Sequence, residues 1–103
     1  MIRVNVLYPH NSGSTFDMDY YLGKHMPMVK EKLGGALLAM TVDQGLSGGQ
    51  PGTAAAFRVV ASLSFDSAEA LERAFLPAAA EIQGDIPRYT NIAPIIQISD
   101  VKL

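Results

Sequence analysis

Residues 56–65, AFRVVASLSF, decide the fold because they form a single predicted strand with one clearly apolar face. The alternating residues of that face are Phe57, Val59, Ala61, Leu63 and Phe65. Alternation over this length predicts a β-strand that packs one face against a core. The other face mixes arginine, valine and serine, so it is too apolar for a solvated face and too polar for a dry core.

The segments on either side of this strand predict a helix and a second strand. Asp66 and Glu69 match an aspartate variant of the capping box, which marks a helix start. Apolar residues then recur at helical spacing up to Ile82, and Pro77 is expected to bend the helix. Upstream, residues 36–46 predict a strand. A loop rich in glycine, serine and proline connects it to the strand in residues 56–65.

The two ends of the chain complete the element order. Residues 2–8 alternate in the same way, and residues 92–103 predict the last strand. A helix is expected from an N-cap at Asp17 to about Leu33, where two glycines end it. The order β-α-β-β-α-β is the split βαβ, or ferredoxin-like, arrangement of the α+β class. It predicts one domain over residues 1–103, with both helices on one face of a four-stranded antiparallel sheet.

Composition and the mixed face of the sheet predict association. Hydrophobic residues make up 49% of the chain and charged residues 17%, against about 25% charged residues in soluble domains. A domain of 103 residues has a large surface relative to its core, so such an apolar one is expected to hide surface in an oligomer. A second sheet would cover the face that carries Arg3, Asn5 and Leu7. The sequence therefore predicts a homodimer that pairs as a dimeric α/β barrel.

Charge and composition exclude several classes of function. The net charge is −2 and no basic run occurs, so no binding to nucleic acid is expected. The chain has no cysteine, which excludes disulfides, thiolate metal ligands and a thiol nucleophile. No apolar stretch is long enough to cross a bilayer and no signal peptide is evident, so we expect a cytoplasmic protein without membrane association.

The first helix contains the strongest candidate for chemistry, a histidine on its apolar face. Spacings of three and four place on that face Met18, Tyr21, Leu22, His25, Val29 and Leu33. Tyr20 and Lys24 are expected to point away from it. Asp17, Tyr21 and His25 follow at steps of four, which would align three proton-exchanging groups. Imidazole suits general acid–base catalysis at neutral pH. The alternative is a core histidine with one satisfied nitrogen, beside a tyrosine that packs and an aspartate that only caps the helix.

A proline follows this histidine by two residues, inside the predicted helix. Pro27 has no amide hydrogen, and its ring would collide with the carbonyl of Gly23 in a regular helix. Gly23 has no side chain to resist a bend. We therefore expect a kink that places His25 in a distorted turn.

Residues 16–29, FDMDYYLGKHMPMV, resemble the EthD family, which is named for a protein linked to ethyl tert-butyl ether degradation and belongs to the dimeric α/β barrel superfamily. The matching positions are Phe16, Tyr20, Tyr21, His25 and Pro27. Residues 65–75 and 85–99 also resemble one group of small EthD-like bacterial proteins, so the similarity spans nearly the whole chain. The sequence departs from that group at Arg88, where an asparagine is expected, and this leaves a polar role for position 88 unsupported.

The resemblance implies a dimeric α/β barrel with a ligand pocket between the helices and the sheet. Superfamily relatives include cofactor-free quinone-forming monooxygenases, muconolactone isomerases, haem-degrading enzymes and stress proteins, and some EthD-like proteins are associated with dehydration of polyketide-type rings. A shared fold does not fix function, so the resemblance implies the fold more strongly than the activity.

The remaining candidates lie in the loop at 85–92, DIPRYTNI, and among the methionines. Tyr89 would belong to a site if it lies near His25; otherwise the loop is an ordered connector in which Asp85 caps a turn and Tyr89 packs. Met18 suggests an adaptable cavity lining, or ordinary core filling. The other histidine, His10, has no regular spacing to His25, so no metal site is expected. His25 could serve as an axial haem ligand, but nothing else in the sequence indicates haem.

Together these features predict an EthD-like enzyme without a metal or a tightly held cofactor. Its substrate would be a flat, apolar, oxygenated compound, and His25 would move a proton during isomerisation, dehydration or a monooxygenase-like reaction. The residues expected to contact this small ligand are Tyr21, Tyr89 and Met18. The alternative is a non-catalytic ligand-binding or stress-linked dimer in which His25 only closes the helix against the sheet.

Overall fold

The computed structural model describes residues 1–103 and is built around a four-stranded antiparallel sheet. Its strands are β1 (Ile2–Pro9), β2 (Ala39–Gln44), β3 (Phe57–Phe65) and β4 (Ile95–Asp100). Their order across the sheet is β2-β3-β1-β4, and every neighbouring pair is antiparallel. Helical segments follow β1 and β3 in the chain. The structure therefore confirms the ferredoxin-like α+β fold.

The register between β1 and β3 fixes the two faces of the sheet. Val4 lies opposite Leu63, and Val6 lies opposite Ala61. These side chains share the face that the helical layer covers, where Ala61 has no exposed surface. On the other face, the Asn5 amide donates a hydrogen bond of 2.9 Å to the Ser62 hydroxyl. The period of two in the sequence therefore assigns these residues to the correct faces.

The first helical segment, α1, covers residues 18–33 in three parts. They are an α-helical start at Met18–Tyr20, a π turn at Tyr21–His25 and an α-helix at Met26–Leu33. The Asp17 carboxylate accepts a hydrogen bond of 3.0 Å from the Tyr20 amide and so caps the segment. Gly34 ends it with φ of +59°, a value that favours glycine. Both termini agree with the prediction.

The π turn is the form that the expected kink takes. The Met26 amide donates to the carbonyl of Tyr21, five residues back, so this turn holds one residue more than an α-helical turn. The wider turn ends two residues before Pro27, which has no amide hydrogen for an α-helical bond to Gly23. A Cβ atom at Gly23 would meet no atom within 4 Å. The proline accounts for the distortion, and the available space does not require a glycine there.

The extra residue changes which side chains of α1 face the core. Leu22 is 51% exposed, so its predicted place on the apolar face is wrong. Tyr20 was expected to point away, but it is half-buried and its hydroxyl donates to Asp85. Tyr21 and His25 are buried as predicted, with exposures of 1% and 4%. A helical wheel assumes 3.6 residues per turn, and the extra residue of a π turn rotates the side chains before it relative to those after it. The wheel therefore cannot place the side chains on both sides of the turn correctly.

The second helical segment, α2, covers residues 68–84. It consists of an α-helix at Ala68–Phe75, a 3-10 turn at Leu76–Ala78 and an α-helix at Ala79–Gly84. The predicted cap at Asp66 is wrong, because the helix starts one residue later and the Ser67 hydroxyl accepts from the Ala70 amide at 3.1 Å. Pro77 lies in the 3-10 turn, where the helix departs from α geometry as expected.

The core lies between the helical layer and the sheet. Its buried cluster comprises Tyr8, Tyr21, Met26, Val29, Leu33, Val59, Ala61, Leu63, Phe65, Tyr89 and Ile92. Three of these eleven are tyrosines, whose hydroxyls need hydrogen-bond partners inside the protein. None of the helices has the length and apolar character that crossing a membrane requires.

Candidate active site

A cavity of about 280 Å³ lies between the helical layer and the sheet. Of its 22 lining residues, 18 are hydrophobic. The aromatic lining residues that carry a polar atom are Tyr8, Tyr21, His25 and Tyr89. The other polar side chains of the lining, Glu72 and Gln83, are exposed. An apolar cavity with a few convergent polar groups is the usual form of a small-molecule site.

His25 is held by a carboxylate from another part of the chain. Its Nδ1 atom lies 2.9 Å from Oδ2 of Asp85, 60 residues away. Because a carboxylate can only accept, Nδ1 carries the hydrogen of this bond, and in the tautomer with hydrogen on Nδ1 the acceptor atom is Nε2. Burial raises the pKa of Asp85, but the hydrogen bonds from His25 and Tyr20 outweigh it, so the pKa lies below its usual value. Asp85 is therefore ionised at neutral pH and fixes the tautomer of His25.

Two further groups hold the Asp85 carboxylate in place. The Tyr20 hydroxyl donates to Oδ1 at 2.8 Å, and this bond to an anionic acceptor raises the pKa of Tyr20. The Arg88 Nε atom lies 3.6 Å from the same oxygen, on a side chain that is 72% exposed. An exposed ion pair contributes little, so Tyr20 is the main partner that orients Asp85.

The other nitrogen of His25 faces a pair of tyrosine hydroxyls. Nε2 lies 3.4 Å from the hydroxyl of Tyr89, which in turn lies 2.7 Å from the hydroxyl of Tyr8. Burial raises the pKa of both tyrosines far above the usual value. Both hydroxyls therefore keep their protons and act as neutral donors. The Tyr21 ring stacks on the imidazole at 5.5 Å and 15°, and burial also raises the pKa of Tyr21.

A clamp between two loops brings these residues together. The loop before α1 forms an isolated β-bridge with the loop before β4, at Phe16 and Thr90. The Asp17 amide donates to the Tyr89 carbonyl at 2.7 Å, and the Thr90 hydroxyl donates to the Thr15 carbonyl at 2.6 Å. Because β4 begins at the end of the sheet where β1 finishes, both loops lie at that end. The clamp thereby places Asp85 and Tyr89 beside α1.

The structure brings together three of the four residues predicted to form the site. His25, Tyr21 and Tyr89 line the cavity. Met18 packs against the core cluster but is not among the lining residues. The expected alignment of Asp17 with Tyr21 and His25 is wrong, because Asp17 caps the helix and the carboxylate on His25 belongs to another residue.

Two important residues were not assigned to the site from the sequence. Asp85 was interpreted as a possible turn cap, and Tyr8 as one more residue of an alternating strand. A sequence signal existed for Asp85, since it precedes Tyr89 by four residues in a loop that the topology brings to the start of α1. Tyr8 carried no such signal, because a tyrosine at the end of a strand is ordinary packing.

No group of three or more histidine, cysteine, aspartate or glutamate side chains comes together in the structure as a metal ion would need. His10 is exposed, in the loop after β1. The arrangement that does exist is a carboxylate–imidazole pair at an apolar cavity, with Nε2 only 3.4 Å from the Tyr89 hydroxyl. Such a pair can accept a proton from a bound molecule and return it.

Solved structures similar to this chain include two EthD proteins. An EthD-like protein from Ralstonia eutropha is 47% identical, with coverage of 99% of this chain and 92% of its own and a TM-score of 0.94. An ethyl tert-butyl ether degradation (EthD) family protein from Bacillus halodurans is 18% identical over 99% of each chain, with a TM-score of 0.76. A dimeric protein with a ferredoxin-like fold from Bacteroides fragilis is 8% identical over 97% of this chain and 95% of its own, with a TM-score of 0.59.

The last two similarities show the fold alone. No family profile matches the chain, and no curated protein does. The first similarity covers the helix with His25 and the loop with Tyr89, together with the rest of the chain. On this identity and coverage, the chain belongs to the EthD family.

Proposed function

We propose that this protein is an enzyme that catalyses proton transfer on a flat, apolar, oxygenated compound without a cofactor, and that His25 is the base. The observation that carries the proposal is the buried His25, whose Nδ1 is bound to the Asp85 carboxylate while Nε2 remains available at the cavity. A carboxylate partner on Nδ1 increases the basicity of Nε2, which is what a histidine base requires. The pair has the arrangement of a catalytic histidine base and the carboxylate that orients it.

Asp85 has two roles in this proposal. It holds the imidazole in the tautomer that leaves Nε2 free, and its negative charge stabilises the imidazolium that forms when Nε2 takes a proton. Tyr20 keeps the carboxylate in position through its second oxygen. Asp85 and Tyr20 are thus positioning residues, and only His25 exchanges a proton with the substrate.

The walls of the cavity define the substrate in general terms. They are almost entirely aliphatic and aromatic, which favours an apolar molecule because burial of apolar area drives its binding. The rings of Tyr21 and Tyr89 flank His25, at 5.5 and 4.5 Å between ring centroids, and would contact the reacting part of the ligand. Proton transfer in such a site supports isomerisation or dehydration directly. Oxygenation would require the substrate itself to reduce oxygen.

The test compares the two histidines. A panel of fused-ring phenols and enolisable ketones is screened for binding by calorimetry and for conversion by mass spectrometry, with the wild type and with His25→Gln and His10→Gln. We expect His25→Gln to keep its affinity for a converted compound and to lose turnover by about 10²–10⁴-fold. His10→Gln is the matched control, because that side chain is exposed and outside the cavity. Undiminished turnover in His25→Gln contradicts the proposal.

A non-catalytic ligand carrier is the second candidate. It is favoured by the Tyr89 hydroxyl, which already lies 3.4 Å from Nε2 and could satisfy that nitrogen permanently. In that case the wild type binds members of the panel and converts none of them. Conversion of any panel member by the wild type, together with its loss in His25→Gln, excludes this candidate.

We further propose that two copies associate through the face of the sheet that the helices leave uncovered. Leu7 lies on this face, opposite Val60 on one side and Ile95 on the other, and Ile95 is 52% exposed. Only 15 of 103 residues are buried in the single chain, which leaves apolar surface for a partner to cover. The similar protein from Bacteroides fragilis is itself dimeric.

Light scattering tests this association. We expect the mass of two chains at micromolar concentration, and the mass of one chain for Leu7→Asp, since a carboxylate in the interface would be desolvated without a partner. A wild type that is monomeric at that concentration contradicts the dimer. The cytoplasmic location expected from the sequence stays a prediction.

A further inference from the structure

We propose that the hydroxyls of Tyr8 and Tyr89 jointly bind a carbonyl oxygen, and that the substrate is a ketone with an acidic C–H group next to that carbonyl. This inference rests on the proposed function, because it takes His25 as the base. It adds a binding role for Tyr8 and narrows the oxygenated compound to one chemical class.

The first observation is the approach of the two hydroxyl groups. Tyr8 comes from β1 and Tyr89 from the loop before β4, yet their oxygens lie 2.7 Å apart. Both residues line the cavity and are otherwise buried. Two donors at this separation can converge on a single acceptor atom that lies at hydrogen-bond distance from each. A carbonyl oxygen has the two lone pairs that such an arrangement uses.

The second observation is that the Tyr89 proton is only weakly engaged. The hydrogen on Nδ1 of His25 goes to Asp85, so Nε2 can accept from Tyr89. That contact is 3.4 Å long, beyond the usual range for a hydrogen bond. A ligand oxygen would therefore draw the Tyr89 hydroxyl away from Nε2 at little cost. For both tyrosines to donate to that oxygen, the ligand must also replace the 2.7 Å hydrogen bond between the two hydroxyls. The same movement frees Nε2 to accept a proton from the ligand.

Both donors also keep their protons throughout the reaction. Burial raises the pKa of Tyr8 and of Tyr89, so neither ionises when negative charge develops beside it. Neutral hydroxyls in an apolar cavity stabilise an oxyanion more strongly than water does, because they are already oriented and the surroundings screen them weakly.

The place of the base identifies the proton that is removed. Nε2 lies beside the hydroxyl pair, 3.4 Å from the Tyr89 oxygen. The α-carbon of a ketone is two bonds from its carbonyl oxygen, so an oxygen held by the tyrosines presents the α C–H group toward Nε2. A phenol would instead place its acidic hydrogen on the oxygen between the two tyrosines. The geometry therefore fits a ketone better than a phenol.

The reaction step is an enolisation. Nε2 takes the α-proton, the electron pair of the broken C–H bond forms a carbon–carbon double bond, and the carbonyl π pair moves to the oxygen. The resulting enolate accepts hydrogen bonds from Tyr8 and Tyr89. Return of the proton from His25 to the same carbon regenerates the ketone. If the enolate is conjugated, return of the proton to the far end of the conjugated system gives an isomer. Neither outcome needs an oxidant or a reductant.

Exchange of α-hydrogen for deuterium measures this step directly. The probe is β-tetralone, a flat bicyclic ketone, in deuterium oxide, and proton NMR follows the loss of its α-proton signals. Tetralin has the same skeleton without the carbonyl and is the matched ligand for binding by calorimetry. We expect the wild type to accelerate the exchange, and Tyr8→Phe to slow it by about 10²-fold. Tyr8→Phe should weaken binding of β-tetralone and leave binding of tetralin unchanged.

The variants separate failure of this inference from failure of the proposed function. Tyr89→Phe is the second hydroxyl variant, in case Tyr8→Phe folds poorly, and is expected to slow exchange to a similar extent. Exchange that His25→Gln abolishes but neither phenylalanine variant slows overturns the hydroxyl pair and leaves the base in place. Exchange that His25→Gln does not slow overturns both. No exchange by the wild type overturns the assignment of a ketone substrate.

Discussion

Removal of the Asp85 carboxylate should destabilise the protein by a predictable amount. In Asp85→Ala, the buried Nδ1 of His25 loses an acceptor at 2.9 Å. A hydrogen bond to a charged group contributes about 1.5–3 kcal/mol, and a buried donor left without a partner adds to the loss. Because the Asp85 side chain is only 17% exposed, water replaces it poorly, and we expect a loss of about 3 kcal/mol. Asp85→Asn keeps an acceptor oxygen without the charge and should lose about half as much.

Thermal unfolding at fixed protein concentration measures this loss. For a domain of about this size, 1 kcal/mol corresponds to about 4–8 °C, so Asp85→Ala should melt about 12–24 °C below the wild type. Asp100→Asn is the matched control, because Asp100 forms an exposed pair with Lys102 and should melt with the wild type. If Asp85→Ala melts within about 2 °C of the wild type, the carboxylate–imidazole pair is not an energetically significant interaction.

The dependence of this difference on pH tests the charge. The folded-state pKa of Asp85 lies below its usual value, so the ionised carboxylate contributes stability that is fully present above about pH 4. That contribution is lost as the pH falls through the lower folded-state pKa. The gap in melting temperature between the wild type and Asp85→Asn should therefore narrow in acid. A gap of constant size down to acid unfolding would show that the charge contributes nothing.

Three further perturbations have expected outcomes. Burial raises the pKa of Tyr8, so the protonated hydroxyl contributes fully to the free energy of unfolding below about pH 10, and this contribution is lost as the pH rises further. The alkaline fall in melting temperature, followed with tyrosinate absorbance, should therefore be smaller in Tyr8→Phe. Gly23→Ala should raise stability by about 0.5–1 kcal/mol, because the added methyl meets no atom within 4 Å, and a loss in denaturant titration would show that the turn needs glycine. Pro27→Ala restores an amide that can donate to the Gly23 carbonyl, so the π turn should revert to an α-helical turn. The NMR signal of the His25 Nδ1 hydrogen should then shift upfield. An unshifted signal would show that the proline does not maintain the turn.

The fold could be predicted because each element carries its own signal along the chain. The alternation in residues 57–65 assigns β3 and its inner face without reference to any other segment, and Asp17 and Gly34 mark the ends of α1 locally. Errors of one residue, such as a cap at Asp66 instead of Ser67, leave the topology unchanged. The mixed outer face also indicated which side of the sheet the helices would not cover.

The site could be predicted only in part, because it depends on contacts between distant segments and on one irregular turn. His25 was identified from its spacing, but Asp85 lies 60 residues away and reaches it only through the clamp between the two loops. The ferredoxin-like topology already requires those loops to lie at one end of the sheet, so a carboxylate in the second loop was a better candidate partner than Asp17. The π turn could not be read from a wheel, since only the structure shows how the chain accommodates Pro27. His25 is buried as the wheel predicted, but Leu22 is exposed, so the irregular turn changes the neighbours of His25 along α1 rather than its burial.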